Sequence, residues 1–338
     1  MGTKKRRSSR RKIRKKPNWS RRKPGRPKKT RWQSPRIGRP KYDQFRANEF
    51  GEVPREIRVL VDKEDIREKQ PGRPGRPPAK RRDVIKCLLF LEFTRCVIQK
   101  SSALLNTFKE VLGLEGVPAP RTLYDYRADP RITRTLQRLQ KVAAWEQWLK
   151  EKIAIPDSTG NPHSKGKTWS GDRTNPKKYR EYDKAHYIVG ARSLVIPYTK
   201  VTRGTWHDSP QFEELVTETI PESNIRALPA DSGYVSVENY ELAHQLGVTP
   251  YIKPKDNAIF RPHPANAYEA HVLFATRFPE RRKEVYRWRV KAECAINAKK
   301  NAFGDIIRGR LHSSRRNQEI CRDIVHNIRM SIMARYGG

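Results

Sequence analysis

Apolar positions are sparse up to residue 82, and beyond it they change period twice. Val84, Ile85, Leu88, Leu89 and Leu91, with Val97 and Ile98 further on, recur at the spacing of a mostly buried helix, and Asp83 stands where an N-cap is expected. A second helix is predicted from Ser101 to Leu112, closed by Gly113. A Pro-Ala-Pro turn then opens a short helical segment over Arg121 to Arg127. Ile132, Leu136, Leu139, Val142, Ala143 and Trp145 mark a longer amphipathic helix. The layout suits a helix-turn-helix and, equally, a small bundle with no role on DNA.

From Glu151 the period shortens. Apolar runs at Ile153 to Ile155, His186 to Val189, Leu194 to Val201 and Ile225 to Leu228 read as strands. Helical stretches at Ser209 to Thr219, Ser236 to Leu246 and Glu284 to Ala302 lie between and after them, so residues 151–338 read as a mixed α/β domain. The Pro-rich stretch Asn257 to Asn266 reads as an exposed loop.

Charge separates the first 82 residues from the rest. Residues 1–42 hold twenty Lys or Arg and no acid, broken by Pro, Gly and Ser, too little apolar surface to offset the entropy of ordering. Tyr42 to Arg67 carries only a weak strand-like run, Ile57, Val59 and Val61, before a second Pro/Gly/Arg tract at Gln70 to Arg82. We therefore expect a disordered basic tail over 1–82, a helical, helix-turn-helix-like domain over 83–150 and a catalytic domain over 151–338. The whole chain carries a formal charge of +37, which calls for a polyanionic partner, and nucleic acid comes first. Its longest apolar runs are too short for a membrane span, and no apolar leader follows the first Met. Cys87, Cys96, Cys294 and Cys321 are scattered without metal-ligand spacing and read as buried reduced thiols.

Four Gly-Arg-Pro triplets, centred on Arg26, Arg39, Arg73 and Arg76, lie in the basic tracts. They resemble AT-hooks, in which a Pro-fixed extended backbone carries an Arg into the narrow minor groove of A/T-rich DNA. A generic electrostatic tether is the plainer alternative.

The sharpest pattern is Tyr286-x2-Arg289-x3-Glu293-x6-Lys300. At about 100° per residue, Arg289, Glu293 and Lys300 fall within about 60° of Tyr286 on one helical face. Val285, Trp288, Ala292, Ala295, Ile296 and Phe303 form an adjoining apolar face that can pack on a sheet and aim the polar stripe into a cleft. A carboxylate between cations and a phenol suits a metal ligand beside phosphate-gripping groups, though a charged solvent face shares the pattern.

This Y-R-E-K spacing resembles the signature of a large group of insertion-sequence DDE transposases. Further segments match in order: Ile153-Ala-Ile-Pro-Asp157-Ser-Thr-Gly160 resembles the strand bearing the first Asp, and Thr205-Trp-His-Asp-Ser-Pro-Gln-Phe212 the turn that opens a helix. Ala230-Asp231-Ser-Gly-Tyr234 resembles the second-Asp motif, followed by a helix and the strand Gly247 to Lys255. Phe303-Gly-Asp and Asn317-Gln-Glu resemble the closing segment. The resemblance implies a ribonuclease H-like sheet with flanking helices, in which Asp157, Asp231 and Glu293 hold two Mg2+ or Mn2+ ions for DNA cleavage and strand transfer. It implies double-stranded DNA as partner, at element ends and target, with a homodimer or higher oligomer on DNA and a cytoplasmic, nucleoid-associated location. Tyr286, Arg289 and Lys300 would contact that DNA. The roughly sixty residues between Asp231 and Glu293 are too few for the large β insertion of some relatives. Asp208 reads as a helix N-cap, Asp172 as a loop residue, and His163 and His207 as turn residues bonded to backbone. A DNA-binding architectural protein and a ribonuclease H-like nuclease are the alternatives to an active transposase.

Overall fold

In the computed structural model, which describes residues 39–68, 78–163, 168–170, 177–179, 181–254 and 258–337, the first element is a 25-residue helix, α1 (Arg39–Lys63). This corrects the expected tail over that stretch. Phe45, Val53, Ile57 and Val61 repeat at intervals of eight and four residues and are buried, whereas Val59, the middle of the supposed strand, is exposed. Pro40 suits the first turn, where its missing N–H costs nothing, so Arg39 starts a helix instead of an extended hook. The Gly-Arg-Pro residues Arg26, Arg73 and Arg76 lie outside the described residues.

The next helices follow the expected order: α2 (Arg81–Thr94), α3 (Ser101–Thr107), α4 (Lys109–Leu112), α5 (Pro120–Ala128) and α6 (Thr133–Trp148). Gly113 closes α4 in the left-handed conformation. Asp83 does not cap α2, whose N-cap is Lys80. Its carboxylate instead accepts from the Glu115 and Gly116 backbone N–H groups at 3.1 Å, pinning the loop after α4. On α6 the buried face is Leu136, Leu139, Ala144 and Trp148, while Val142 is exposed.

Strand β1 (Ala154–Pro162) leads into a hairpin, β2 (Thr168–Ser170) and β3 (Lys177–Tyr179), and then β4 (Tyr182–Gly190) and β5 (Tyr198–Arg203). Antiparallel pairing gives β1-β4-β5. After α7 (Phe212–Thr217) come β6 (Ala227–Ala230), α8 (Val237–Gln245) and β7 (Thr249–Ile252), with β6 and β7 parallel. An Ile153/Ala227 parallel bridge and the Arg226 N–H donated to Lys152 at 2.9 Å set β6 beside β1. The spatial order is β5-β4-β1-β6-β7. Helices α9 (Ala267–Arg277), α10 (Pro279–Tyr286), α11 (Val290–Phe303) and α12 (His312–Gly337) follow. Side-chain caps start two of these helices, Ser236 accepting from Asn239 N–H for α8 and Asn266 from Glu269 N–H for α9. Between Asp231 and Glu293 the described elements are helical apart from β7.

Two cores cover the two faces of the sheet. Ala154 and Ile188 pack with Phe212, Leu215, Tyr240 and Trp148 on one face. Ile155, Tyr187 and Val189 pack with Ala292, Ala295 and Ile296 of α11 on the other, the alternation that a pleated strand imposes. A third core joins α1, α2 and α6 to Ile320, Ile324, Val325 and Ile328 of α12. Phe303, expected on the sheet, belongs to this helical core. The boundary expected at residue 150 therefore separates no two cores. Helix α12 also meets α1 through the Arg329–Glu49 ion pair and the Tyr336 and Phe45 rings, 6.3 Å apart. Arg322 joins Glu92 of α2 to the backbone carbonyls of Gly304 and Ile306. Among the described residues no helix is long and apolar enough to cross a membrane. Cys87 and Cys321 are buried free thiols as expected, but Cys294 is exposed.

Candidate active site

Strand register brings the two aspartates together. Ile153 pairs with Ala227 across the parallel β1/β6 junction, and four residues further along each strand stand Asp157 and Asp231. Asp231 sits just past the end of β6, where its carboxylate accepts the Ser232 N–H at 2.7 Å and caps a short turn. By strand alternation Asp157 lies on the face of Ile155, the face that α11 covers.

Glu293 arrives on α11, in its first turn. The expected continuous helix over Glu284 to Ala302 is interrupted: α10 stops at Tyr286, a 3-10 turn spans Arg287–Arg289 and α11 begins at Val290. The turn still leaves Arg289 close to the acids. Its guanidinium donates to Glu293 Oε1 at 2.8 Å and comes within 4.0 Å of Asp157 Oδ2. Tyr286 and Asp231 lie within its electrostatic reach. Lys300, two turns further along α11, donates to Thr159 Oγ1 at 2.6 Å, two residues beyond Asp157 on β1. Asp157, Asp231, Tyr286, Arg289, Glu293 and Lys300, expected in one site, thus border one region.

The charges are unevenly balanced. Burial pushes the Asp157 carboxyl up, opposed by the Ser158 N–H and by Arg289 and reinforced by Glu293 and Asp231. Burial also raises Tyr286, which stays a neutral hydrogen-bond donor, and lowers Lys300 with help from neighbouring Lys299. Three carboxylates share one guanidinium, and an all-oxygen donor set short of positive charge fits a hard divalent cation. As the side chains stand, no three His, Cys, Asp or Glu residues among those described are close enough to share an ion, and Arg289 links Glu293 toward Asp157.

Asp208 has more to do than its sequence context suggested. Its side chain makes no cap bond. Instead it pairs with Lys184 at 2.7 Å and the buried His186 at 3.1 Å, and contact with His186, Lys184 and Ser158 outweighs burial to hold it down at about 2. Ser158, Lys184 and His186 belong to the sheet face opposite Asp157, paired Ser158 with His186 in register. Asp208 therefore lies behind the sheet from Glu293. It also touches the second-Asp turn, since a Cβ on Gly233 would stand 3.3 Å from its Oδ2. The alternation of Lys184 and His186 was a signal available in sequence, but not their partner. Asp172 lies outside the described residues, and the His163 side chain faces Asp183 at 3.4 Å while its backbone N–H donates to the Glu181 carbonyl at 3.0 Å.

Residues 148–322, just over half of the chain and all three carboxylates included, match the transposase DDE domain family. No curated protein matches the sequence.

Proposed function

Because the chain belongs to the transposase DDE domain family, we propose that it hydrolyses phosphodiesters at the ends of a mobile element and joins the freed 3′-hydroxyls to target DNA, with Asp157, Asp231 and Glu293 as its catalytic carboxylates. The observation that carries this reading is the parallel β1/β6 register that sets Asp157 beside Asp231 under the helix bearing Glu293. The order β5-β4-β1-β6-β7, with three antiparallel strands followed by parallel ones, supports assigning the sheet to the ribonuclease H-like class.

The three carboxylates would hold two Mg2+ or Mn2+ ions, which when bound supply activation of water or a 3′-hydroxyl and stabilisation of the leaving oxygen. The chain's own side chains hold the DNA. Lys300, steadied on Thr159, is placed to grip a phosphate next to the scissile bond, and neutral Tyr286 can donate to a phosphate oxygen. The Arg289 fork, engaged with Glu293, matches a phosphate bidentately, so an entering strand competes for it. The Gly-Arg-Pro tracts at Arg26, Arg73 and Arg76 we assign to minor-groove or electrostatic contact with double-stranded DNA, by an oligomer associated with the nucleoid.

The test is a Mg2+-dependent assay of the full chain on DNA carrying the flanks of its own gene. Cleavage with joining supports the proposal. Nicking without joining indicates a ribonuclease H-like nuclease. Binding without cleavage indicates an architectural protein.

A further inference from the structure

Behind the catalytic region lies a fully buried group of charges that the chemistry does not use. Lys299, which follows Ala298 and precedes Lys300 on α11, is buried, and its ammonium contacts Glu319 at 2.5 Å and Asp323 at 2.6 Å, both on α12 and both buried. It also donates to Tyr187 Oη at 2.7 Å, and Tyr187 donates to Glu319. Asp323 accepts from Thr199 at 2.7 Å, and Thr199 accepts from Gln140 of α6 at 2.8 Å.

The strand registers give this group its meaning. Asp157 pairs with Tyr187 across β1/β4, and Tyr187 pairs with Thr199 across β4/β5. Asp157, Tyr187 and Thr199 form one row across the sheet, on the face that α11 covers. Lys299 holds the residue next to Asp157 in that row, and through Asp323 it reaches the last one. Consecutive helical residues point about 100° apart, so Lys299 seated in this row directs Lys300 toward Thr159. Glu293 lies six residues earlier on the same rigid helix.

We propose that Lys299 is a positioning residue: clamped by Glu319, Asp323 and Tyr187, it fixes the rotation of α11 on the sheet and thereby the placement of Glu293 and Lys300 against Asp157. A buried ammonium has no water to fall back on, so a rotation or slide of α11 that unseats it leaves that ammonium without its carboxyl partners. Apolar packing alone is more forgiving. Of the three buried residues of α11 against the sheet, Ala292 and Ala295 are small and only Ile296 is bulky, so this apolar contact resists a shift less than Lys299 does. The ion group thus adds orientation to that apolar contact.

The inference rests on the reading of Glu293 as a catalytic carboxylate, and the experiment separates the two. Lys299→Met alone strands two buried carboxylates and endangers folding, so the informative protein is the uncharged Lys299→Met/Glu319→Gln/Asp323→Asn triple variant, with Tyr187→Phe as a milder second. Hydrogen–deuterium exchange and strand cleavage are measured on each full chain. The expected result is faster exchange confined to peptides of 290–303, a cleavage kcat reduced 10-fold or more in the triple and 2- to 5-fold in Tyr187→Phe, and an unchanged KM for DNA ends. Wild-type α11 exchange with wild-type kcat in Tyr187→Phe and the triple overturns the proposal. Exchange raised evenly over the whole sheet, with normal activity per folded molecule, overturns it as well. Glu293→Gln is the control: its activity at wild-type level would sink the catalytic reading itself, whereas an inactive Glu293→Gln beside a fully active triple sinks only the role of Lys299.

Discussion

Arg289 and Glu293, one helical turn apart, are joined by a 2.8 Å hydrogen bond, and the same guanidinium stands 4.0 Å from Asp157. The cation between two proposed catalytic acids is therefore also the group best shaped to take a phosphate. Replacing Arg289 with Ala should weaken binding of element-end DNA and slow cleavage by about 10- to 100-fold, within the usual cost of losing a group that supports a metal site. The pair is partly exposed, so thermal stability should change by less than about 1 kcal/mol. Gel-shift affinity, single-turnover cleavage and melting curves on one preparation check all three expectations, and unchanged affinity and rate would return the stripe to a solvated helix face.

Asp157→Ala, Asp231→Ala and Glu293→Ala should each lower Mg2+-dependent cleavage by more than about 100-fold, since even outer partners of a metal site cost up to that much. Binding of DNA should remain within a few-fold, because most phosphate contacts come from elsewhere. Any one variant that cleaves at near wild-type rate loses its residue the assignment.

Asp323 provides a pH signature. Burial, reinforced by Glu319 and opposed by Lys299 and Thr199, pushes its carboxyl from 3.8 up to about 7. A folded-state value above the unfolded one means stability that is complete below about 4 and is lost as pH rises through about 7. Urea unfolding at pH 5 and pH 8.5 should show the wild type losing more stability than Asp323→Asn over that interval. Equal losses would contradict the expected protonation.

Asp208 has the opposite sign. Held at about 2 against 3.8 in the unfolded chain, it adds stability that is present above about 4 and disappears as pH falls through about 2. Asp208→Asn leaves Lys184 and buried His186 without their carboxylate and should cost about 2 kcal/mol near neutral pH. Melting measured at pH 7 and again at pH 2.5 should show the gap between variant and wild type narrowing in acid.

Two truncations should behave differently. Removing residues 1–38 should lower DNA affinity and flatten its salt dependence, by roughly 0.9 in log–log slope for each phosphate that the arm no longer neutralises, without moving the cleavage position. A/T-rich duplex should lose more affinity than G/C-rich duplex. Removing 1–82 also deletes α1, whose Phe45, Val53, Ile57 and Val61 are buried, and should destabilise the fold by on the order of 5 kcal/mol or more. An unchanged salt slope and A/T preference after the short truncation would make the basic arm a linker.

Most helices after residue 80 and the strands of the sheet were legible in sequence, because each announces itself locally through a period of two or about 3.6 or a Gly stop, whereas Asp157, Asp231 and Glu293 were singled out together only by the family resemblance of their motifs. Helix α1 was not legible. Its apolar residues are few, and the surface that makes them a helical face belongs to α12, more than two hundred residues away in the chain. Nor could periodicity tell Lys299 from Lys300: both read as cations near the end of one helix, and only packing against α12 and β4 buried the first while leaving the second beside Thr159. Asp208 was hidden for a related reason, since its partners, Lys184 and His186, lie on a strand formed some twenty residues earlier. Local sequence determined which residues share a face; tertiary packing decided what that face meets, because burial and ion pairing depend on neighbours that the chain brings in from afar.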